Sequence, residues 1–235
     1  MEAGANARGV EECVATVARG LGADRVDLRI GYASLAITIG IGDSGITRMR
    51  NVGRLRVNQR AGQQIWDIAE SVQRQHFTSE QTMVRLKEIV KECPRHNRLV
   101  VAAAVGLACA AFGRLLGMDW QGVGPVLLAS TFAQYVRDKL LGWHVNGFIT
   151  AMTVSFISAV AAGTGAQLAG STTRAVAMVA SILLLVPGVP AVNALHDILE
   201  GHPSLGSARV VSVMTTLAFM AAGLWCAQVL VDYLR

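Results

Sequence analysis

The chain divides into a polar first part and an apolar second part, and hydrophobic residues are spaced differently in each. In the first part, apolar residues from Val10 to Leu21 recur at helical spacing, and Gly22 follows as a helix-ending residue. Three stretches rich in β-branched residues come next, RVDLRIG (25–31), SLAITIG (34–40) and ITRMRNV (46–52). With the turn sequence GDSG (42–45) before the last stretch, they predict a small antiparallel sheet.

Two amphipathic helices are predicted after this sheet, over residues 57–75 and 79–93. Each has a single apolar stripe, and Thr78 or Ser79 is placed to cap the second helix. The stripes are formed by Ile65, Ile68, Ala69 and Val72, and by Met83, Leu86, Ile89 and Val90. The resulting order, α-β-β-β-α-α, predicts a compact α+β domain over residues 1–97.

Long apolar runs replace the amphipathic pattern from residue 98 onward. Pro94 ends the last amphipathic helix, and the cationic Arg95, His96 and Arg98 precede the first run. A membrane-spanning helix needs about 20 mostly apolar residues. Five segments approach that length, at 99–116, 123–141, 148–168, 175–199 and 210–234. The predicted fold class is therefore membrane α-helical, with about five transmembrane helices in a domain over residues 98–235.

Charge favours a cytoplasmic position for the small N-terminal α+β domain. Met1 is not followed by the apolar core of a leader segment. Basic residues near the predicted inner ends of the spans outnumber those near the outer ends, which is the bias expected of cytoplasmic loops. The inner residues are Arg95, Arg98, Arg137, Lys139 and Arg209, and the outer ones are Arg114, Arg174 and Arg235.

Composition and motifs exclude several other classes of protein. The formal net charge of +5 does not indicate a nucleic-acid partner, because the basic residues form no helical stripe with aromatics between them. The four cysteines show no CxxC spacing, so we expect no metal, no cofactor and no disulfide framework. GxSxG, HExxH and P-loop motifs are absent from the sequence, and we expect no enzymatic activity.

The fourth predicted span is interrupted by PGVP (187–190). Pro187 and Pro190 lack an N–H and Gly188 adds backbone freedom, so the helix should open and leave carbonyl groups near residues 183–186 without helical donors. Transporters use such interruptions as binding sites, because half-helix ends present unpaired polar groups. The alternatives are a plain kink, or a cytoplasmic loop that begins after residue 186.

Polar residues follow the interruption. Asn193 lies six residues after Pro187, and Asp197 lies one turn further on the same helical face. An ionisable group inside a membrane segment is a functional candidate, and Asp197 is a candidate carrier of a coupling proton. His196 is more typical of a residue solvated near the interface than of a proton relay.

The second predicted span ends in another polar cluster. Its members are Ser130, Thr131, Gln134, Tyr135, Arg137 and Asp138. One interpretation is hydrogen bonding between helices, with Arg137 as a cytoplasmic anchor. The other is a face that lines a substrate path, with Arg137 and Arg209 attracting anions at its inner mouth. Small residues also recur in the spans and predict close helix packing, either within one bundle or against another subunit.

Several stretches together carry a resemblance to a known family. They are GLGADRVDLRI (20–30), ITRMR (46–50), VVAAAVGLACAAFGRL (100–115), ASTFAQYVRDKLL (129–141) and ASILLLVPGVPAVNALHDILEGHPSLGSAR (180–209). The chain resembles the threonine/serine exporter (ThrE) family in its split, short form, over nearly its whole length. The resemblance implies export of small polar metabolites across the bacterial inner membrane: threonine and serine for the fused form, and dicarboxylates such as succinate for the split form.

The same resemblance implies a second small transmembrane subunit, and hence an oligomer. It implies a set of substrate-site residues, which are Pro187, Gly188, Pro190, Asn193, Asp197, Gly201 and Arg209, together with Ser130, Thr131, Tyr135 and Arg137. We therefore expect a subunit of a secondary exporter for small carboxylate-bearing metabolites, with the substrate near the broken fourth helix. The alternatives are a membrane-anchored metabolite-sensing or assembly subunit without transport activity, and a membrane enzyme.

Overall fold

The structure is a computed structural model that describes residues 1–41, 44–53, 58–74, 76–92 and 97–233. This described chain is mostly helical and includes a three-stranded sheet. It forms two compact units, the first joining Met1–Pro94 to Gly188–Ser212 and the second joining Arg95–Pro187 to Val213–Arg235. The domain boundary between residues 97 and 98 stays a prediction. The predictions for Gly42, Asp43, Pro94, Arg95, His96 and Arg235 lie outside the described residues.

The N-terminal elements of the first unit follow the predicted order. They are α1 (Ala7–Gly20), β1 (Arg25–Ile30), β2 (Ser34–Ile41), β3 (Ser44–Asn51), α2 (Gln59–Gln73) and α3 (Ser79–Glu92). The sheet is antiparallel in the order β1-β2-β3, with Leu28 opposite Ile37 and Ile37 opposite Arg48. Asn6 caps α1 by accepting the Gly9 N–H at 3.1 Å, which satisfies a free amide of the first turn.

The core of these elements lies between α1 and α2. Ala18 of α1 and Ile68, Ala69 and Val72 of α2 are buried, as the predicted α2 stripe requires. The stripe predicted for α3 differs from the structure, because Met83 is exposed and its neighbour Thr82 is buried instead. Thr82 is suited to that position because its hydroxyl donates to the carbonyl of Thr78, the residue directly before α3.

The second unit is built from long helices. They are α4 (Arg98–Leu115), α5 (Trp120–Gly142), α6 (Gly147–Leu168) and α7 (Arg174–Ser181), together with part of α9 (Pro203–Tyr233). The remaining helix, α8 (Gly188–Leu199), belongs to the first unit. Side chains of Asn97, Asp119 and Asn146 accept N–H groups at the starts of α4, α5 and α6. Each of these boundaries therefore has a local cause in the sequence.

Three helices of the described chain are long and apolar enough to cross a membrane. They are α4, α6 and α9, and a fourth span exists if α7 and α8 are counted as one span bent by 61°. The five-span count stays a prediction. The helix α5 has sufficient length, but Arg137, Asp138 and Lys139 make its last turns strongly polar.

Small residues pack helices closely inside the second unit. A Cβ added to Gly106 on α4 would lie 2.6 Å from the Leu127 carbonyl oxygen of α5. A Cβ added to Gly223 on α9 would lie 2.3 Å from the Met152 carbonyl oxygen of α6. Both distances are shorter than real Cβ contacts, so only glycine permits these approaches. At these two positions the small residues serve packing within one bundle.

Candidate functional site

The predicted interruption of the fourth span is a change of helix type followed by a new helix. The helix α7 ends at Ser181, a single 3₁₀ turn covers Leu183–Leu185, and Val186 is extended. The next helix, α8, then begins at Gly188, so Pro190 is its third residue. The first four N–H groups of a helix have no partner inside it, and the missing donor of Pro190 therefore removes no helical hydrogen bond. The PGVP sequence starts α8 rather than breaking it.

The early end of α7 frees the backbone carbonyl of Ser181 from its helical donor inside the second unit. The Leu185 N–H donates to the Ile182 carbonyl at 2.9 Å, instead of reaching back to Ser181 as it would in an α-helix. The expectation was a set of freed carbonyls at residues 183–186. Within that range the Leu183 carbonyl accepts the Val186 N–H at 3.2 Å, and the structure also frees the Ser181 carbonyl, which lies outside the predicted range.

Two serine hydroxyls satisfy the Ser181 carbonyl. Ser130 Oγ of α5 donates to it at 3.1 Å, and Ser158 Oγ of α6 donates at 2.9 Å. All three serines are fully buried. A buried carbonyl in a bilayer needs a donor from the protein, because lipid supplies none. Three helices thus meet at a small buried polar centre, and we call Ser130, Ser158 and Ser181 the serine centre.

The other predicted residues of α5 do not join the serine centre. Thr131 Oγ1 donates to the Leu127 carbonyl of its own helix at 2.7 Å, and Tyr135 is exposed with Lys139 near its ring. Gln134 Nε2 donates to Asp138 Oδ1 at 3.0 Å, also within α5. Of these α5 residues, Ser130 therefore makes the predicted hydrogen bond to another helix, whereas Thr131 and Gln134 form hydrogen bonds within α5.

Arg137 is half-buried in the last turns of α5. Among the residues that the structure describes, its guanidinium forms no hydrogen bond or salt bridge, and Asp138 is the carboxylate that acts on it through space. A cation without a bound partner, next to a carboxylate that is already hydrogen-bonded by Gln134, keeps its capacity to attract an anion.

The first unit brings together Asn193, Asp197 and Arg209. Arg209 Nη1 donates to Asp197 Oδ2 in a buried ion pair, with Asp197 fully buried. The second oxygen of Asp197 accepts the Ala7 N–H of α1 at 2.8 Å. Asn193 Nδ2 donates to the Gly4 carbonyl at 2.8 Å. Of the residues proposed from the sequence to hold substrate, Asp197 and Arg209 therefore contact each other, and Asn193 and Asp197 contact residues 4–7.

Because Asp197 is fully buried, its carboxylate needs both the ion pair with Arg209 and the hydrogen bond from the Ala7 N–H. A carboxylate removed from water is unfavourable unless a cation and hydrogen bonds replace its hydration. Arg209 supplies the cation, and the first free N–H of α1 supplies a hydrogen bond together with the positive end of the helix dipole. Gly201 and Pro187 contribute no polar side chain, and Gly201 adopts φ +91°, which glycine favours after the last turn of α8.

Sequence reasoning missed Ser158 and Ser181 as partners of Ser130. Serine in an apolar span was the available signal, but serine hydroxyls more often bond back to their own helix. It also missed Glu200, which lies one turn beyond Asp197 and accepts a hydrogen bond from Asn6 at 3.2 Å. In the described chain no group of three His, Cys, Asp or Glu side chains is arranged to hold a metal ion.

A second polar cluster ties the α4–α5 connection to the α6–α7 connection. Asp119 caps α5 at Gly122 and accepts hydrogen bonds from the Ser171 hydroxyl at 2.7 Å and the Thr172 N–H at 2.7 Å. Two opposing effects act on the pKa of the Asp119 carboxyl group, and partial desolvation by itself would raise it. The hydrogen bonds from Ser171, Thr172, Gly122 and Thr173 outweigh that effect and lower the pKa to about 2.

Comparison with known proteins adds to this geometry. The model of the family described as "Putative threonine/serine exporter" matches residues 1–231. The chain belongs to this family. It is also 30% identical over 237 residues to the "Probable succinate transporter subunit YjjP" of Escherichia coli K12, covering 96% of this chain and 90% of that protein. The protein of the same name from Klebsiella aerogenes is 30% identical, with 96% of this chain and 89% of that protein covered.

No solved structure matches the chain significantly. Membership of the threonine/serine exporter family, together with the apolar helices, identifies a membrane protein with the role of a transporter subunit. It indicates transport rather than catalysis. The resemblance predicted from the sequence is confirmed over nearly the whole chain.

Proposed function

We propose that this chain is one subunit of a secondary exporter in the bacterial inner membrane that carries small carboxylate-bearing metabolites. Dicarboxylates such as succinate are the first candidates, and threonine and serine are the second. Support comes from the names of the relatives, which describe a probable succinate transporter subunit, and from the description of the family. The N-terminal domain lies in the cytoplasm, and a second small transmembrane subunit completes the transporter.

The serine centre is the observation that carries this proposal. A transport site in lipid needs polar groups that are buried, satisfied at rest and able to exchange partners. Ser130 and Ser158 meet these conditions, because both hydroxyls now hold one backbone carbonyl beside an interrupted helix. Each hydroxyl can rotate to donate to a substrate carboxylate instead, while the 3₁₀ turn at Leu183–Leu185 adjusts.

Charge at the end of α5 supports the same path. Arg137 is a half-buried cation on the helix that carries Ser130, and the two residues lie seven positions apart, or about two helical turns. It is placed to attract a carboxylate towards the serine centre from the cytoplasmic end of α5. Asp197 and Arg209 belong to this proposal as regulators of α8, because their charges already neutralise each other.

The experiment is efflux of labelled succinate and labelled threonine from proteoliposomes that contain this chain and its partner subunit. Replacing Ser130 and Ser158 together by alanine should lower efflux at least about tenfold, because the substrate carboxylate loses its hydroxyl donors and a hydrogen bond to a charged group contributes about 1.5–3 kcal/mol. The control is Thr164→Val, which removes a hydroxyl of α6 that donates to the Val160 carbonyl of the same helix. That variant should keep normal efflux.

Two results would contradict the proposal. Efflux that is unchanged in the double serine variant would place the substrate path elsewhere. The absence of efflux of either metabolite from the unmodified pair would remove the proposed substrate class. Size-exclusion elution of both variants must match that of the unmodified chain, so that loss of folding does not account for the result.

A groove in the first unit favours a metabolite-sensing subunit as the second candidate. It has a volume of about 430 Å³ and lies between α2 and α3, with Arg60 and Asp67 on its walls and Ile68 and Phe77 at its apolar side. Small-molecule sites commonly have this size and mixture of groups. Calorimetric titration of the full chain with succinate or threonine tests it. A sensing subunit would lose binding in Arg60→Gln and keep binding in the double serine variant.

A further inference from the structure

One face of α8 is occupied by the beginning of the chain. Asn193, Asp197 and Glu200 follow one another at i, i+4 and i+7, which places them on the same side of the helix. Each makes one hydrogen bond to residues 4–7. The three bonds are Asn193 Nδ2 to the Gly4 carbonyl (2.8 Å), the Ala7 N–H to Asp197 Oδ1 (2.8 Å), and Asn6 Nδ2 to Glu200 Oε2 (3.2 Å). We call residues 4–7 the latch.

The chemistry of the latch makes it releasable. Its three bonds to α8 are polar, and a polar bond exchanges for water at a small net free energy, whereas a large apolar contact does not. Opening also leaves Asp197 with its cation, because Arg209 comes from α9 and not from the latch. The buried carboxylate therefore stays paired in both states, and the usual penalty for exposing one half of a buried ion pair is absent.

The part that the latch holds is the pair of helices α8 and α9. A Cβ added to Gly206 of α9 would lie 2.8 Å from the Ala194 carbonyl oxygen of α8, so the two helices are in close contact. Asp197 and Arg209 join the same two helices by charge. The helix α8 starts immediately after Pro187, where one compact unit ends and the other resumes.

We propose that residues 4–7 are an autoinhibitory latch. Seated on Asn193, Asp197 and Glu200, the latch holds the α8–α9 pair at rest, and its release is a step of the transport cycle. This inference rests on the proposed function, because it regulates the helix that follows the interrupted span. The latch itself is anchored in its own domain, since the Asn58 N–H donates to the Ala3 carbonyl at 3.0 Å. Release therefore frees α8 from residues 4–7, whereas Arg8 and Glu11 of α1 separately contact Glu200 (3.9 Å) and His202 (3.4 Å).

The weakening variant is Asn6→Asp. It keeps the side-chain oxygen that caps α1 at Gly9, but it replaces the amide donor to Glu200 by a second negative charge. The latch should then open more often. Glu200→Gln in the same chain puts an amide donor at position 200 opposite the carboxylate acceptor now at position 6. The hydrogen bond is thereby restored with its direction reversed, and the latch should open as rarely as in the unmodified chain. Rescue of this kind separates a specific contact from general damage to the fold.

Opening is measured by alkylation of a reporter thiol. Ala7→Cys, in a chain whose own cysteines are replaced, puts the thiol at a fully buried position and keeps the backbone N–H that Asp197 accepts. Maleimide should react about fivefold faster when Asn6→Asp is added, and at the original rate in the rescued chain. Equal rates in all three chains would overturn the latch.

Efflux from proteoliposomes with the partner subunit then tests autoinhibition. Asn6→Asp should raise efflux several-fold, with rescue by Glu200→Gln. Joining cysteines at positions 6 and 200 with a short thiol-cleavable linker should stop efflux, and reduction should restore it. Lowered efflux in Asn6→Asp, or full efflux from the linked chain, would overturn the proposal. If no chain moves substrate, the proposed function fails, and the alkylation rates still decide whether the latch opens.

Discussion

At the scale of single residues, polar groups of this chain are satisfied by partners far away along the sequence. The Ser181 carbonyl receives a hydroxyl from Ser130, 51 residues earlier, and Asp197 receives the N–H of Ala7, 190 residues earlier. Asp119 holds both Ser171 and Thr172 across more than 50 residues. Such bonds are strong where water is excluded, and each makes one segment depend on another.

Replacing Asp119 by Asn should lower the melting temperature at neutral pH and remove part of its pH dependence. The folded pKa of about 2 lies below the ordinary value of 3.8, so the ionised carboxylate stabilises the fold above pH 4. That stabilisation is lost as the pH falls from about 4 towards 2. Thermal unfolding of the purified chain in detergent across this range should show a steeper loss for the unmodified protein than for Asp119→Asn.

The matched control for this prediction is Asp27→Asn, which changes an exposed carboxylate of β1. It should leave both the melting temperature and its dependence on pH almost unchanged. Identical curves for Asp119→Asn and the unmodified chain would mean that the hydrogen bonds of Asp119 do not contribute to stability.

At the scale of elements, boundaries follow local sequence and packing follows side-chain size. Asn6, Asn58, Asn97, Asp119 and Asn146 each precede a helix and accept an N–H of its first turn. These positions are readable in the sequence, because a cap acts within a few residues. The close approach of α4 to α5 is different, since it depends on Gly106 of one helix facing a carbonyl of the other.

Gly106→Ala should destabilise the second unit by about 1–3 kcal/mol, because the added methyl group has no space against the Leu127 carbonyl. Gly124→Ala is the matched control, since a Cβ at Gly124 of α5 meets nothing within 4 Å. That control should be neutral or stabilising by up to about 1 kcal/mol, as alanine favours a helix. Thermal unfolding of both variants measures the difference, and equal melting temperatures would contradict the packing described for α4 and α5.

At the scale of the whole molecule, the two compact units do not coincide with a simple division of the chain. The segment Gly188–Ser212 belongs to the first unit although its sequence follows the apolar spans. Hydropathy assigns residues to lipid or water by composition alone. It therefore did not predict that the polar stripe of α8 packs with the N-terminal elements, because that outcome depends on matching groups in both segments.

The proposed orientation in the membrane predicts which loops can be labelled from outside the cell. With the N-terminus in the cytoplasm, Leu116 lies in an outer connection and Trp143 in an inner one, and both side chains are exposed. In a cysteine-free background, Leu116→Cys should react with a membrane-impermeant maleimide in spheroplasts, and Trp143→Cys should react only after lysis. The reverse pattern would invert the orientation and with it the position of the N-terminal domain.

The fourth span contains one feature that the sequence predicted and one that it did not. The residues PGVP indicated that a helix would stop and another begin there, and the structure has α7, a 3₁₀ turn and α8 in that order. The identity of the freed carbonyl did not follow from the sequence. Ser181 is freed because the 3₁₀ turn shifts the Leu185 donor by one residue, a choice made by the surrounding helices.

The sequence by itself determined the division into polar and apolar parts, the helix starts, and membership of the threonine/serine exporter family. These features depend on residues that are close along the chain, because apolar periodicity, helix caps and prolines act over a few residues. Only the tertiary structure decided the partners of Ser130, Asn193 and Asp197. A buried polar group must find a partner of matching charge and direction, and that partner is set by how distant segments meet in space.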